Sequence, residues 1–222
     1  MRLCIIGSSF APKTFRKVWS QLFTIVQKPE YAELVFYSRD TDIGKDGARE
    51  QESIREPVKD IYSRIKVPLV LTSQVTPGFT RSLGIPIYHM AETLRIKDAR
   101  ERALKPDYFV FGCPDPKVTL PIELQQFVMS FNVHLIKVTW EEAEFSKIAV
   151  NMTLASQVDN ANRLSKAAKS VGADWRRIKE VLSHDKRIGP HSYLTPGRWQ
   201  DSQHLLRDFH TLEQIENEWN IE

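Results

Sequence analysis

Apolar residues in this chain follow two rhythms. Short, dense runs alternate with longer stretches in which apolar positions recur every three or four residues. Residues 2–6 (RLCII) form the first dense run and stop at Gly7-Ser8-Ser9, as a buried strand meeting a turn does. From Thr14 to Val26 the apolar positions Phe15, Val18, Trp19, Leu22, Phe23 and Val26 fall at helical spacing, and Pro29 closes the segment. Leu34–Tyr37 predicts a second strand, and Ser38–Gly47, rich in Asp and Gly, predicts a loop. Residues 50–65 predict a helix interrupted by Pro57, 68–72 a strand, 85–88 a strand, 108–111 a strand ending at Gly112, 120–131 a helix and 134–138 a strand. Strands and helices alternating at this spacing predict a mostly parallel α/β sheet over residues 1–138.

The remainder, 139–222, predicts an all-α domain. Residues 141–171 contain neither Gly nor Pro. Their apolar positions Ile148, Met152, Ala155, Val158, Ala161, Leu164, Ala168 and Val171 mark one long helix, with Gly172 as its stop. Such a helix is about 45 Å long at 1.5 Å per residue. One small domain does not cover that length, so a partner surface along 141–171 is expected. A second helix starts at Asp174 with Trp175, Ile178, Val181 and Leu182 as its apolar face, and a terminal helix is expected near 202–218.

Composition narrows the class. With 41% apolar and 27% charged residues the chain reads as folded and soluble, and 31 basic against 28 acidic side chains, a formal net charge of +3, are too balanced to argue for nucleic acid. Apolar runs are too short to span a bilayer, and the start MRLCIIGSS lacks a secretory design, so a cytoplasmic location is expected. Two cysteines, Cys4 and Cys113, support neither a disulfide scaffold nor a thiolate zinc site, and six scattered histidines give no metal-ligand spacing.

Three local features could carry chemistry. Gly7-Ser8-Ser9 joins a strand to a helix where a dinucleotide pyrophosphate docks, but Ser9 and Pro12 stand in the second and third glycine places. The other reading of this turn is a sheet edge descended from such a fold. Lys147 and Asn151, four apart on the long helix, pair an ammonium with a carboxamide, a combination able to hold a hydroxyl or carbonyl oxygen and equally common as plain surface. Asp185–Pro190 (DKRIGP) sets basic groups at a helix exit, suited to a phosphate or simply a solvated turn.

The stretch EAEFSKIAVNMTLASQVDNANRLSKAAKSVGAD followed by DKRIGP resembles the central helical domain of the UDP-glucose/GDP-mannose dehydrogenase family, whose long helix carries E-x-x-K-x-x-x-N and forms the dimer core. TSQVTPGFTR, IYHMAETLRI and KPDYFVFGC resemble family segments in the same order. The resemblance implies a shortened Rossmann-like, NAD-binding domain followed by a dimerising helical domain, and oxidation of a nucleotide-sugar alcohol. It assigns Glu92 as general acid/base, Lys147 and Asn151 as alkoxide-stabilising groups, Asp208 as the aspartate that positions water, Arg187 as a substrate-binding residue offered across a homodimer, and Ser73 beside Gly7, Ser8 and Ser9 at the cofactor. His204 stands where the family has its cysteine nucleophile. Without that thiolate the second oxidation has no covalent route, which leaves at most a single alcohol–carbonyl hydride transfer. The alternative is a non-catalytic dimeric scaffold. The resemblance also implies that the family's C-terminal nucleotide-sugar-binding domain is absent, that a strand–helix section is missing between Ser9 and Leu34, and that Leu34–Tyr37 is the family's second strand, with Asp40 on the ribose, or its fourth. The loop after it favours the fourth.

Overall fold

A computed structural model of the protein describes residues 1–45 and 48–218; the loop expected over Ser38–Gly47 lies outside them at its last two residues, Asp46 and Gly47. In chain order the elements are β1 (Arg2–Ile6), α1 (Phe10–Trp19), β2 (Thr24–Ile25), β3 (Leu34–Tyr37), α2 (Arg55–Arg64), β4 (Leu69–Leu71), α3 (Phe79–Ser82), β5 (Tyr88–Met90), α4 (Ala99–Leu104), β6 (Tyr108–Cys113), α5 (Ile122–Met129), β7 (His134–Thr139), α6 (Trp140–Ser170), α7 (Trp175–His184) and α8 (Gln203–Glu218). They fall into two compact units, Met1–Lys147 and Ile148–Glu222. No helix among the described residues is long and apolar enough to cross a membrane.

The first unit is built on one seven-stranded sheet of order β2-β1-β3-β4-β5-β6-β7. Every neighbouring pair is parallel except β5–β6. Alternate strand residues serve opposite faces, as the two-residue period requires. Leu3, Ile5, Leu34 and Phe36 pack with α1 and α5, whereas Cys4, Val35, Tyr37 and Leu71 pack with Val58 and Ile61 of α2 and Phe79 of α3. Trp19 anchors the first face. Its ring stacks on Phe15 at 4.1 Å and meets Phe127 at 5.0 Å, and its indole N–H donates to the Ala103 carbonyl at 2.9 Å. Gly112 brings α6 onto β6: a Cβ there would lie 2.8 Å from Ala143 Cβ and 3.0 Å from Trp140 Cα.

β1 is flanked by β2 on one side and β3 on the other. In the doubly wound order 3-2-1-4-5-6 the strand opposite the second is the fourth. Leu34–Tyr37 therefore occupies the fourth place, the one its polar loop favours. Among the described residues a single short strand lies outside β1, where the full order has two.

Three elements depart from the sequence expectation in instructive ways. The first helix begins at Phe10 and ends at Trp19, because the apolar positions at Leu22 and Phe23 belong to a turn leading into β2. The strand expected at 85–88 forms at 88–90, since Pro86 has no N–H for a ladder. Pro57 does not interrupt α2: it falls in the first turn, where its missing N–H has no partner to lose.

The second unit packs Ala155 and Val158 of α6 against Trp199, with Met152, Tyr193, Leu205, Leu206 and Phe209 around them. Asn162 fixes the 190s loop, donating to the Gly197 carbonyl at 2.7 Å and accepting its N–H at 2.9 Å. Trp199 donates its indole N–H to Asp159 at 2.9 Å. Asp174 caps α7, accepting the Arg176 N–H at 2.9 Å.

Candidate functional site

Parallel strands β1, β3, β4 and β5 deliver their following turns to one edge of the sheet. Gly7, Ser8, Ser9, Ser73 and Glu92 all sit on that edge. Order reverses at β1, so its C-terminal end and that of β3 form the switch point where doubly wound sheets bind ligands. Gly7 adopts a φ of +136°, and a Cβ there would lie 2.0 Å from the Ser38 carbonyl oxygen and 2.9 Å from Pro12 Cγ. Ser73 is buried and accepts the Arg39 N–H at 2.7 Å. Beside it the polar loop is stitched down, with the Thr41 hydroxyl donating to the Gln74 carbonyl at 2.5 Å and Gln51 exchanging two hydrogen bonds with Thr76 at 2.7 and 2.8 Å. Glu92 accepts the Leu94 N–H and lines a cavity of about 20 Å³ with Phe15, Trp19, Met90 and Phe109. That volume admits about one water and no sugar ring.

The switch point fits one half of a dinucleotide. Ser9 precedes α1 without capping it, and its Oγ is buried with no hydrogen-bond partner among the described residues. Together with the leading N–H groups of α1, that hydroxyl suits a phosphate oxygen. The adenosine half does not fit. Binding of the ribose diol of NAD takes a carboxylate at the end of the second strand. Here β2 is followed by Val26, Gln27 and Lys28. Among the described residues the switch point offers groups for the pyrophosphate and no carboxylate directly after β2 for the ribose.

On α6, Glu144 is buried, with 1% of its surface exposed. Its Oε2 accepts the Gly78 N–H at 2.6 Å and its Oε1 the Thr80 N–H at 2.8 Å. Burial outweighs these bonds and pushes its carboxyl up to about 7. Lys147, one turn on, is partly exposed. Sequence reasoning passed over Glu144 as a site residue, although it is the first letter of E-x-x-K-x-x-x-N.

In the second unit two of the expected residues meet. Asn151 donates its amide to Asp208 Oδ2 at 2.6 Å, with 7% and 0% of their surfaces exposed. Two others stand apart. His204, one turn before Asp208 on α8, is exposed and lies 3.2 Å from Arg207 Nη2. Arg187 is an exposed side chain in a bidentate pair with Asp185 at 2.7 and 3.0 Å, and that carboxylate holds its guanidinium above the ordinary range. Neither thiol is activated, since burial pushes Cys4 up to about 11 and raises Cys113 as well.

Residues 141–222 match the model of the UDP-glucose/GDP-mannose dehydrogenase family, central domain. That stretch, the last third of the chain, is similar to this dehydrogenase family. UDP-glucose 6-dehydrogenase YwqF of Bacillus subtilis is 28% identical over 198 residues, covering 83% of this chain and 44% of that protein. GDP-mannose 6-dehydrogenase of Pseudomonas aeruginosa is 27% identical over 176 residues, 69% of this chain and 38% of that protein. The dehydrogenase-like fold extends over the whole chain. The structure of a UDP-glucose dehydrogenase from Pyrobaculum islandicum superposes with a TM-score of 0.76 at 18% identity, covering 100% of this chain and 65% of that one. The chain spans less than half the length of the two curated relatives.

Proposed function

We propose that this chain is a homodimeric, non-catalytic homologue of nucleotide-sugar dehydrogenases that keeps the long-helix core and has given up hydride transfer. The switch point carries the reading: Ser9 and Pro12 replace glycines, and Gln27 and Lys28 stand where a ribose-binding carboxylate belongs. His204 in place of a cysteine agrees with it, because an exposed imidazole beside an arginine forms no thiohemiacetal. Dimerisation is supported by apolar residues that α6 leaves in the open. Val150 and Leu164, with Val171 just past its end, are 44%, 39% and 78% exposed and repeat at whole heptads, the spacing of a helix–helix seam. A cytoplasmic location belongs to the same reading.

A second reading is a single alcohol–carbonyl hydride transfer on a nucleotide sugar. It is favoured by the joint retention of Glu92, Lys147, Asn151 and Asp208, which would supply a proton acceptor and an alkoxide-stabilising pair, with Arg187 reaching the sugar nucleotide.

Titration calorimetry with NAD and NADP, each with and without UDP- and GDP-sugars, separates the two. The scaffold reading expects no saturable NAD heat at millimolar ligand, and light scattering at twice the 25.7 kDa chain mass. Micromolar NAD binding with NADH formation from a nucleotide sugar would establish the second reading. A monomer at micromolar concentration would remove the dimer. Leu164→Glu, which puts a charge into the apolar seam, is expected to convert the dimer to monomer.

A further inference from the structure

We propose that the cleft between α4 and the C-terminal half of α1 docks an acidic peptide segment of a partner protein, one that sets an aliphatic or aromatic side chain among carboxylates. The cleft lies within the first unit, and its role does not depend on whether the chain is a scaffold or an enzyme.

α1 and α4 are held side by side before any ligand arrives. The Trp19 indole N–H is bonded to the Ala103 carbonyl, and Val18, Trp19 and Ala103 are all buried. Beside this contact the two helices leave a cleft of 390 Å³. Ligand sites commonly measure about 300–1,000 Å³. Val18 and the partly buried Leu104 give the cleft an apolar floor. α1 is ten residues long, about 15 Å, and Ser9 stands at its other end, so the cleft is separate from the switch point.

The rim is cationic. Lys17 on α1, and Arg100 and Lys105 at the two ends of α4, are exposed and line the cleft against a single carboxylate, Glu101. Neighbouring guanidinium groups are already engaged. Arg16 donates to the Ile5 carbonyl at 2.8 Å, Arg102 pairs with Asp107 at 3.1 Å, and Arg95 pairs with Asp98. Among the described residues Lys17, Arg100 and Lys105 form no ion pair. Helix ends account for two of the three, because a cation at a C-terminus complements the exposed carbonyls. Arg100 stands in the first turn of α4, where the helix dipole opposes it. Its charge serves neither its own helix nor an ion pair.

Shape and chemistry together favour a peptide. A bilayer surface is flat and leaves the floor untouched. Single-stranded nucleic acid stacks its bases on aromatic rings, and among the described residues no aromatic side chain lines the cleft. Glu101 repels a dense row of phosphates, whereas it accepts a peptide N–H, and the Gln21 amide bonds a peptide carbonyl. An apolar side chain flanked by carboxylates answers the floor and the rim at once.

Panning a phage-displayed random dodecapeptide library against the full chain tests the site. Recovered sequences should be enriched in Asp and Glu around an aliphatic or aromatic residue. A fluorescein-labelled copy of the most frequent sequence is then titrated by anisotropy. With Lys17→Gln, Arg100→Gln and Lys105→Gln combined, its Kd should rise roughly tenfold or more. Lys59→Gln, on α2 at the other face of the sheet, should leave the Kd unchanged. In the wild-type chain the peptide should shift the methyl signals of Val18 and Leu104. A library with no acidic enrichment, methyl shifts that map elsewhere, or a Kd indifferent to the triple change would overturn the site. Tighter binding of phosphatidylserine vesicles or of a single-stranded oligonucleotide, lost in the triple variant, would overturn the peptide as occupant. The wild-type methyl map decides the matter even if the triple variant does not fold.

Discussion

Gly7→Ala is expected to destabilise the first unit by roughly 3–6 kcal/mol, enough to unfold it or nearly so. Two costs add. A φ of +136° is a backbone region that side chains with a Cβ rarely adopt, and the new methyl would sit 2.0 Å from the Ser38 carbonyl oxygen. Relief would require parting the C-terminal ends of β1 and β3, which are paired from Leu3↔Leu34 to Ile6↔Tyr37. Gly197→Ala is the control, with nothing within 4 Å of its added methyl, and should stay within about 0.5 kcal/mol. Hydrogen exchange of β1 and β3 amides measures the difference. This result would also explain why the first glycine of a nucleotide fingerprint persists while the other two do not. Gly7 answers to the strand packed against it, whether or not a phosphate ever arrives. On the scaffold reading proposed above, the second and third places are released from a dinucleotide and accept Ser9 and Pro12.

What could be read in the sequence depended on how local its cause was. Fully buried strands such as Leu34–Tyr37 announce themselves, because every residue is apolar and the bounds are polar. The long helix does so through the absence of Gly and Pro between 141 and 171. β2 was invisible at two residues, and α3 and α4 were too short to show a period. Ser73 and Glu92 were placed by resemblance, and only the topology shows that they share an edge with Gly7. Glu144 was missed because a glutamate on a helix ordinarily faces water. Its burial is decided by N–H groups 64 and 66 residues earlier in the chain, at Thr80 and Gly78, for which no pattern around Glu144 gives notice. The Asn151–Asp208 bond spans 57 residues and has the same character.

Asp208→Ala is expected to cost the second unit about 3–4 kcal/mol, through loss of a buried acceptor that leaves the buried Asn151 amide without its 2.6 Å partner. Because the chain divides into two units, a single denaturation midpoint would mix their responses. Hydrogen exchange in α8 and in residues 148–170 of α6 reads the second unit by itself. A double-mutant cycle with Asn151→Ala should return a coupling of roughly 1–3 kcal/mol, since each single change strands the other partner and the pair removed together does not. Asp208→Asn keeps one acceptor oxygen and should recover part of the loss. The outcome bears on function as well as on packing. An aspartate kept for proton transfer is held against the interests of the fold, and removing it tends to leave stability unchanged or improved. An aspartate kept as the buried partner of Asn151 is part of the fold, and its removal must be felt along both helices. Loss of protection in α6 and α8 together would mark the pair as the polar core of the helical unit, and unchanged protection would return Asp208 to the candidates for chemistry.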